Sequence, residues 1–145
     1  MEKQITFKVE IEEALTEQQL ADLLSNFFGI QCGFDQWEVE KGELYEGAAE
    51  EIDDERLEED SDEEICFEEV LARMLFKGGA ICLLEADTED DWHVVDLNKI
   101  IDGLKLYLKN PVGDCHSVQE IVEQGDSLDT DAVFQYAVYG EIIYG

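Results

Sequence analysis

Two stretches near the start of the sequence have the character of strands: the first alternates between apolar and polar residues, and the second is rich in strand-forming apolar residues, with an interruption expected at Gly33. We predict strands over residues 4–12 and 30–40. Their apolar positions are Ile5, Phe7, Val9 and Ile11 in the first stretch and Phe34, Trp37 and Val39 in the second. These side chains are therefore expected to face a core, while the residues between them face solvent.

Further along the chain, apolar residues recur every three or four positions, which predicts amphipathic helices. Thr16 and Gln19 have the spacing of a capping box, so the first helix is predicted to begin after Thr16 and to end at Gly29. This first helix covers residues 17–28, and a second begins at Ile65 and is ended by the Gly78-Gly79 pair. The next is capped by Asp96 and is ended by Asn110-Pro111. A short helical segment is predicted at 118–123, and a last helix is predicted from a cap at Asp129 or Thr130 to Ile143 near the terminus.

Two short apolar strands, AICLLEA and WHVV, are joined by an acidic turn, so residues 80–95 are predicted to form a hairpin. Together the elements predict an α+β fold: a small, mostly antiparallel sheet of about four strands, with three to four helices packed mainly on one face. At 145 residues the chain is expected to be a single domain spanning residues 1–145.

Residues 35–64 depart from this pattern because they hold sixteen Asp and Glu against two basic residues, a net charge of −14. The whole chain carries −29, so this tract supplies about half of the total. After Glu40 its sizeable apolar residues are Leu44, Tyr45, Ile52 and Leu57. These are too few for a buried element, so we predict an exposed acidic segment at about 38–64, a loop with a helical turn around residues 48–57.

The acidity of the chain limits its partners. Nucleic acids and anionic membranes are bound through Lys and Arg, so neither is expected as a direct ligand. Basic proteins, above all those that bind nucleic acids, are the natural counterparts of such a surface. The chain has no run of roughly eighteen apolar residues and no apolar leader after Met1, so we expect a cytoplasmic protein.

Potential metal ligands and catalytic groups are scattered along the chain. The cysteines are Cys32, Cys66, Cys82 and Cys115, and the histidines are His93 and His116. They lack the paired spacing of a structural zinc site, and reduced structural thiols are expected. The acidic turn at 87–91 begins like a calcium loop, but Trp92 occupies the position that requires glycine. We therefore expect no metal, no cofactor, no catalytic residue and no enzymatic activity.

Three segments, mainly of the C-terminal half, combine a Gly-Gly strand, a Leu-rich helix and a terminal helix: KGGAICLLEAD, WHVVDLNKIIDGLKLYLKN and DTDAVFQYAVYGEIIYG. In this combination the chain resembles small acidic proteins encoded by prophages and integrative conjugative elements of Gram-positive bacteria. The resemblance implies a mobile-element gene product and implies no catalytic residue. The residues that match the terminal motif, expected to pack the last helix against the sheet, are Tyr136, Gly140, Glu141 and Gly145.

The spacing of the carboxylates favours imitation of nucleic acid. Duplex DNA carries one negative charge per about 1.7 Å of axis. Residues at i and i+4 of a helix lie about 5–6 Å apart, so an ordered tract would set out charges at phosphate-like intervals. We predict a DNA mimic that binds and inhibits a basic DNA-handling host protein, such as a defence nuclease. Its predicted partner-binding residues are Glu38, Glu40, Glu43, Glu46, Glu50, Glu51, Asp53, Asp54, Glu58 and Glu59.

An alternative hypothesis is a structural or adaptor module in which the acidic tract only provides solvation. Its partner would dock on an apolar surface near the terminus, formed by Phe134, Tyr136, Tyr139 and Tyr144. Salt separates the two hypotheses, because only the mimic depends on exposed charge. Both leave the oligomeric state open.

Overall fold

The computed structural model describes residues 3–8, 12–28, 33–40 and 42–144, which form five strands and six helices. In chain order the elements are β1 (Gln4–Lys8), β2 (Glu12–Thr16), α1 (Glu17–Phe28), β3 (Phe34–Glu38), α2 (Glu43–Glu58), α3 (Phe67–Phe76), β4 (Ala80–Glu85), β5 (Trp92–Asp96), α4 (Leu97–Lys109), α5 (Val118–Gln124) and α6 (Ser127–Tyr139). The predicted α+β class is confirmed. No described helix is both long and apolar enough to cross a membrane.

The described strands form two antiparallel sheets, so the prediction of one sheet of about four strands is wrong. The first sheet pairs β1 with β2 and sets Ile5 opposite the buried Leu15. The predicted strand over residues 4–12 is therefore shorter, because the chain turns back and pairs with itself before α1 begins. Val9 and Ile11 lie outside the described residues.

The second sheet has the order β3-β4-β5, and its β4–β5 hairpin confirms the predicted one. Ile81 and Val95 are opposite each other and fully buried, whereas Val94 on the other face is 56% exposed. In β3, Phe34 is buried as predicted, but Trp37 is 39% exposed. Trp37 lies near the margin of the sheet because β3 is an edge strand. Residues 30–32 of the predicted strand lie outside the described part.

Helices α1, α3, α4 and α5 occupy their predicted places. The capping box of α1 is confirmed: the Gln19 amide donates to Thr16 Oγ1 at 3.0 Å, and Gln19 Oε1 accepts from the Thr16 amide at 2.9 Å. Asp96 caps α4 by accepting from the Lys99 amide at 3.0 Å. Local side-chain chemistry thus fixes where these helices begin. Gly29 lies outside the described residues.

The last helix, α6, begins earlier than predicted, and Asp126 rather than Asp129 or Thr130 is its cap. Asp126 accepts from the Asp129 amide, and the buried Asp129 side chain accepts from the Asp126 amide, each at 3.0 Å. The helix ends at Gly140, whose φ of 75° is left-handed. Ile143 is therefore not helical, which corrects the predicted extension.

One hydrophobic core draws on residues from both sheets and all six described helices, and the contact between α4 and α6 is part of it. Tyr107 of α4 and Phe134 of α6 are fully buried there. The two helices approach closely at Gly103, because a Cβ atom at that position would lie 2.3 Å from the Val133 carbonyl oxygen. A residue larger than glycine would force the helices apart at this point.

Candidate partner-binding surface

The acidic segment contains a helix, α2 (Glu43–Glu58), so the prediction of an exposed loop with one helical turn is wrong. Ala48 and Ile52 are buried in the core, and Tyr45 packs partly against it. Three apolar side chains in one stripe are enough to attach α2 to the domain, because protein covers only one side of the helix. The acidic residues take the remaining positions.

Arg73 of α3 holds the inner edge of α2 in place. Its Nε donates to Glu17 of α1 at 2.5 Å, and its guanidinium lies 2.6 Å from Glu55 and 3.5 Å from Glu51, both on α2. Lys77 also pairs with Glu51. Arg73 is thus the ionic connection among α1, α2 and α3.

These contacts change the pKa values of two carboxylates on α2. The hydrogen bond from Lys77 lowers the pKa of Glu51, and the hydrogen bond from Arg73 lowers the pKa of Glu55. Arg56, also on α2, pairs with Glu69 of α3 at 2.5 Å. Three basic residues of the described structure, Arg56, Arg73 and Lys77, therefore pair with carboxylates at the α1–α2–α3 seam.

The exposed side of α2 is mostly acidic. Because successive helix residues rotate by about 100°, one arc of the helix collects six carboxylates, here termed the acidic face. Its members are Glu43, Glu46, Glu50, Asp53, Asp54 and Glu58, all of them exposed. Within the described residues none of the six is ion-paired. Leu57, 72% exposed, lies among them.

The charge density of the acidic face can be compared with that of DNA. Glu43 and Glu58 are separated by about 22 Å along the helix axis, given a rise of about 1.5 Å per residue. Six charges over this length give one per about 4 Å, close to the 3.4 Å of a single DNA strand. Glu46, Glu50, Asp54 and Glu58 form a continuous i, i+4 row with steps of about 6 Å. The acidic face thus matches one phosphate row and has about half the density of a duplex.

Not all the predicted partner-binding carboxylates belong to this face. Glu38 at the end of β3 and Glu40 before α2 are exposed, and Glu59 is the C-cap of α2. Glu51 instead points to the seam, where Lys77 and Arg73 pair with it. Sequence spacing could not separate Glu51 from its neighbours, because its basic partners follow more than twenty residues later.

One of the four residues of the adaptor hypothesis, Phe134, is fully buried and stacks on Phe27 with a centroid distance of 4.0 Å. The other three, Tyr136, Tyr139 and Tyr144, are half-buried. Tyr139 stacks on Phe34, and the Tyr136 hydroxyl donates to the Asn110 carbonyl at 3.1 Å. Phe134 is therefore not available to a partner, and the tyrosines make contacts within the domain.

The terminal motif has a structural use that the sequence did not reveal, centred on the buried Gln135. Gln135 Oε1 accepts from the amides of Ile143 at 3.0 Å and Tyr144 at 2.9 Å, and Nε2 donates to the Tyr144 carbonyl at 2.9 Å. The Tyr144 hydroxyl donates to Glu85 at 2.8 Å. The tail is therefore bound back onto the domain. Among the other matching residues, Glu141 is exposed, which corrects its expected packing, and Gly145 lies outside the described residues.

The cysteines and histidines are dispersed in the described structure. Cys66 is exposed, Cys82 half-buried and Cys115 buried, and all three are free thiols; Cys32 lies outside the described residues. His93 Nε2 lies 3.0 Å from Glu85 Oε1. In the described part of the chain no group of three His, Cys, Asp or Glu side chains is placed to hold a metal ion.

Comparisons with protein-family models, with curated proteins and with solved structures found no match to this chain. The assignment of a function therefore rests on the chemistry of the surface.

Proposed function

We propose that this chain is a cytoplasmic, non-enzymatic mobile-element protein that acts as a DNA mimic. It binds a basic DNA-handling host protein, such as a defence nuclease, and blocks its nucleic-acid cleft. The observation that carries the proposal is the acidic face of α2: six exposed carboxylates on one helix, at about the linear charge density of a single DNA strand.

The way in which α2 is attached supports this proposal. Burial of Ile52 and the Arg73 pairs with Glu17 and Glu55 fix the helix on α1 and α3. A charge row that is already ordered loses less conformational entropy when a partner binds than a flexible acidic loop does. Among the described residues, Arg56, Arg73 and Lys77 pair with carboxylates other than the six of the acidic face, so the negative field of that face can steer a basic partner into contact.

The distribution of apolar side chains argues against the adaptor hypothesis. Its key residue, Phe134, is fully buried. The terminal tyrosines hydrogen-bond within the domain, Tyr136 to Asn110 and Tyr144 to Glu85. A partner that required Phe134 would first have to open the fold, whereas the acidic face is accessible without rearrangement.

Two matched charge variants test the proposal. The face variant replaces the i, i+4 row with amides: Glu46→Gln, Glu50→Gln, Asp54→Asn and Glu58→Gln. The control variant removes the same number of exposed carboxylates elsewhere: Glu89→Gln, Asp90→Asn, Asp91→Asn and Asp102→Asn. Both raise the net charge equally, so a difference between them reports position and not total charge.

Each protein is immobilised, exposed to a Gram-positive host lysate at low salt and eluted with a salt gradient. The proposal expects the wild type and the control variant to retain a nucleic-acid-binding protein that duplex DNA displaces, and the face variant to lose it. Equal retention by both variants, or a captured partner that neither salt nor DNA releases, would refute the proposal.

A further inference from the structure

A cavity of about 580 Å³ lies between α1, α2 and α3, beside the ion pairs of Arg73. Its walls come from all three helices, with Gln18 and Ala21 from α1, Ile52 and Glu58 from α2, and Arg73 from α3. A cavity of this volume can hold a long side chain or a small ligand. The acidic face lies on the outer arc of α2, so the cavity is a separate, concave feature of the same helix.

The described lining of the cavity carries an excess of negative charge, with six Glu against three basic side chains, a net charge of −3. Two of the basic side chains, Arg56 and Arg73, are already paired with carboxylates of the lining. Glu58 and Glu59 are exposed and form no ion pair with any described residue. Unpaired negative charge therefore lies at the C-terminal end of α2, where the helix dipole also favours a cation.

The cavity also has an apolar part, because Ala21 and Ile52 of the hydrophobic core contribute to its lining. A long basic side chain can lay its apolar stem along such a surface while its charged head meets a carboxylate. An apolar ligand would cover the carboxylates without a counter-charge, and an anion or a second copy of this acidic chain would be repelled. The lining therefore fits the side chain of a lysine or an arginine.

The position of the cavity indicates where that side chain comes from. Glu58 is the last member of the i, i+4 row of the acidic face and also lines the cavity. A basic protein that is attracted to the row therefore reaches the cavity at the same time.

We propose that the cavity receives a lysine or arginine side chain of the partner, which anchors the partner at the C-terminal end of the acidic row. This inference rests on the proposed function, because it names how the same basic partner is held. The row supplies long-range attraction, and the cavity supplies one fixed anchor point of the kind that dominates many protein interfaces.

A first experiment tests the cavity without any partner. The full chain, labelled with ¹⁵N, is titrated at constant ionic strength with N-acetyl-arginine amide, and separately with N-acetyl-citrulline amide as the uncharged counterpart. We expect the arginine compound to shift the amide signals of Ala21, Ile52 and Glu59 in preference to those of carboxylates elsewhere, and the citrulline compound to leave them unchanged. Equal shifts with both compounds, or shifts spread over the whole acidic surface, would overturn the inference.

Two matched variants then connect the cavity with the partner. Gln18→Arg places a tethered guanidinium group at the cavity, and Gln119→Arg makes the same change on α5. Both glutamines are exposed, and each donates to a carboxylate four residues later, Gln18 to Asp22 at 3.1 Å and Gln119 to Glu123 at 3.3 Å. The two variants therefore change the net charge equally and lose comparable contacts.

We expect Gln18→Arg to bind the captured partner about tenfold more weakly than Gln119→Arg, a loss typical of a blocked anchor residue. Equal affinities of these two variants would overturn the inference. The face variant separates the two proposals. If it loses the partner while Gln18→Arg retains it, the cavity inference fails and the proposed function stands. If the face variant binds as the control variant does, the proposed function fails, and the titration with the arginine compound still decides whether the cavity binds a basic side chain.

Discussion

Replacement of Arg73 by methionine should loosen the acidic helix from the domain. The Arg73 and Glu17 side chains are each 13% exposed, so methionine leaves a largely buried carboxylate without its partner. Loss of one member of a fully buried pair costs about 3–5 kcal/mol. Since this pair retains some solvent contact, we expect about 2–3 kcal/mol for it. The more exposed pairs with Glu51 and Glu55 add less than about 1 kcal/mol each.

Urea unfolding followed by far-ultraviolet circular dichroism measures this change. Lys77→Met is the matched control, because it removes a more exposed pair and should cost less than about 1 kcal/mol. The double variant Glu17→Met with Arg73→Met should recover most of the loss, since replacing both partners by apolar groups removes the unpaired charge. The reasoning is refuted if Arg73→Met costs no more than Lys77→Met, or if the double variant is less stable than Arg73→Met alone.

The pH dependence of the same variant gives an independent check. The hydrogen bond from Arg73 lowers the pKa of Glu55 below its ordinary value of 4.5. A lowered folded-state pKa contributes stability that is present above the unfolded pKa and is lost as the pH falls through the folded one. The difference in unfolding free energy between wild type and Arg73→Met should therefore shrink below about pH 4.5. A difference that stays constant or grows would contradict this assignment.

Three further predictions follow from the fold. Gln135→Leu removes the hydrogen bonds to the tail, so the amides of Ile143 and Tyr144 should exchange faster with deuterium while the α4 amides do not; unchanged protection would disprove the tail attachment. Tyr107→Phe removes the hydroxyl that donates to the buried Asp129, which should cost about 1–3 kcal/mol in urea unfolding, and a neutral effect would contradict that bond. Raising the ionic strength from about 0.01 M to roughly 0.15 M should raise the thermal midpoint, because screening reduces the self-repulsion of a chain with net charge −29. A midpoint that falls would show that screened ion pairs dominate instead.

Where the sequence predicted the fold correctly, the signal was local. The Thr16–Gln19 capping box and the Asp96 cap are satisfied within three residues, and the apolar period of α4 continues without interruption as far as Lys109. The strand β2 was missed because it is only five residues long and directly precedes α1, so its residues read as the approach to the helix; its pairing with β1, which sets Leu15 opposite Ile5, is not visible in its own sequence pattern.

The acidic helix was missed for a different reason. Its hydrophobic stripe consists of little more than Ala48 and Ile52, and its stabilising cations come from α3, where Arg73 and Lys77 lie far along the sequence. The number of apolar residues within the segment therefore predicted a loop where a helix forms. The density of carboxylates did identify the candidate surface. Which of these carboxylates face the domain and which face solvent depends on their positions around the helix axis, and the sequence prediction of a loop could not give those positions.

In the proposed function, position and not total charge makes the acidic face a binding surface. The most direct measurement is the salt dependence of the affinity for the captured nucleic-acid-binding partner, compared among the wild type and the two matched charge variants. We expect a steep decrease of affinity with salt for the wild type and the control variant, and a weaker affinity with a shallower salt dependence for the variant of Glu46, Glu50, Asp54 and Glu58. Identical salt dependence for the two variants would contradict this expectation.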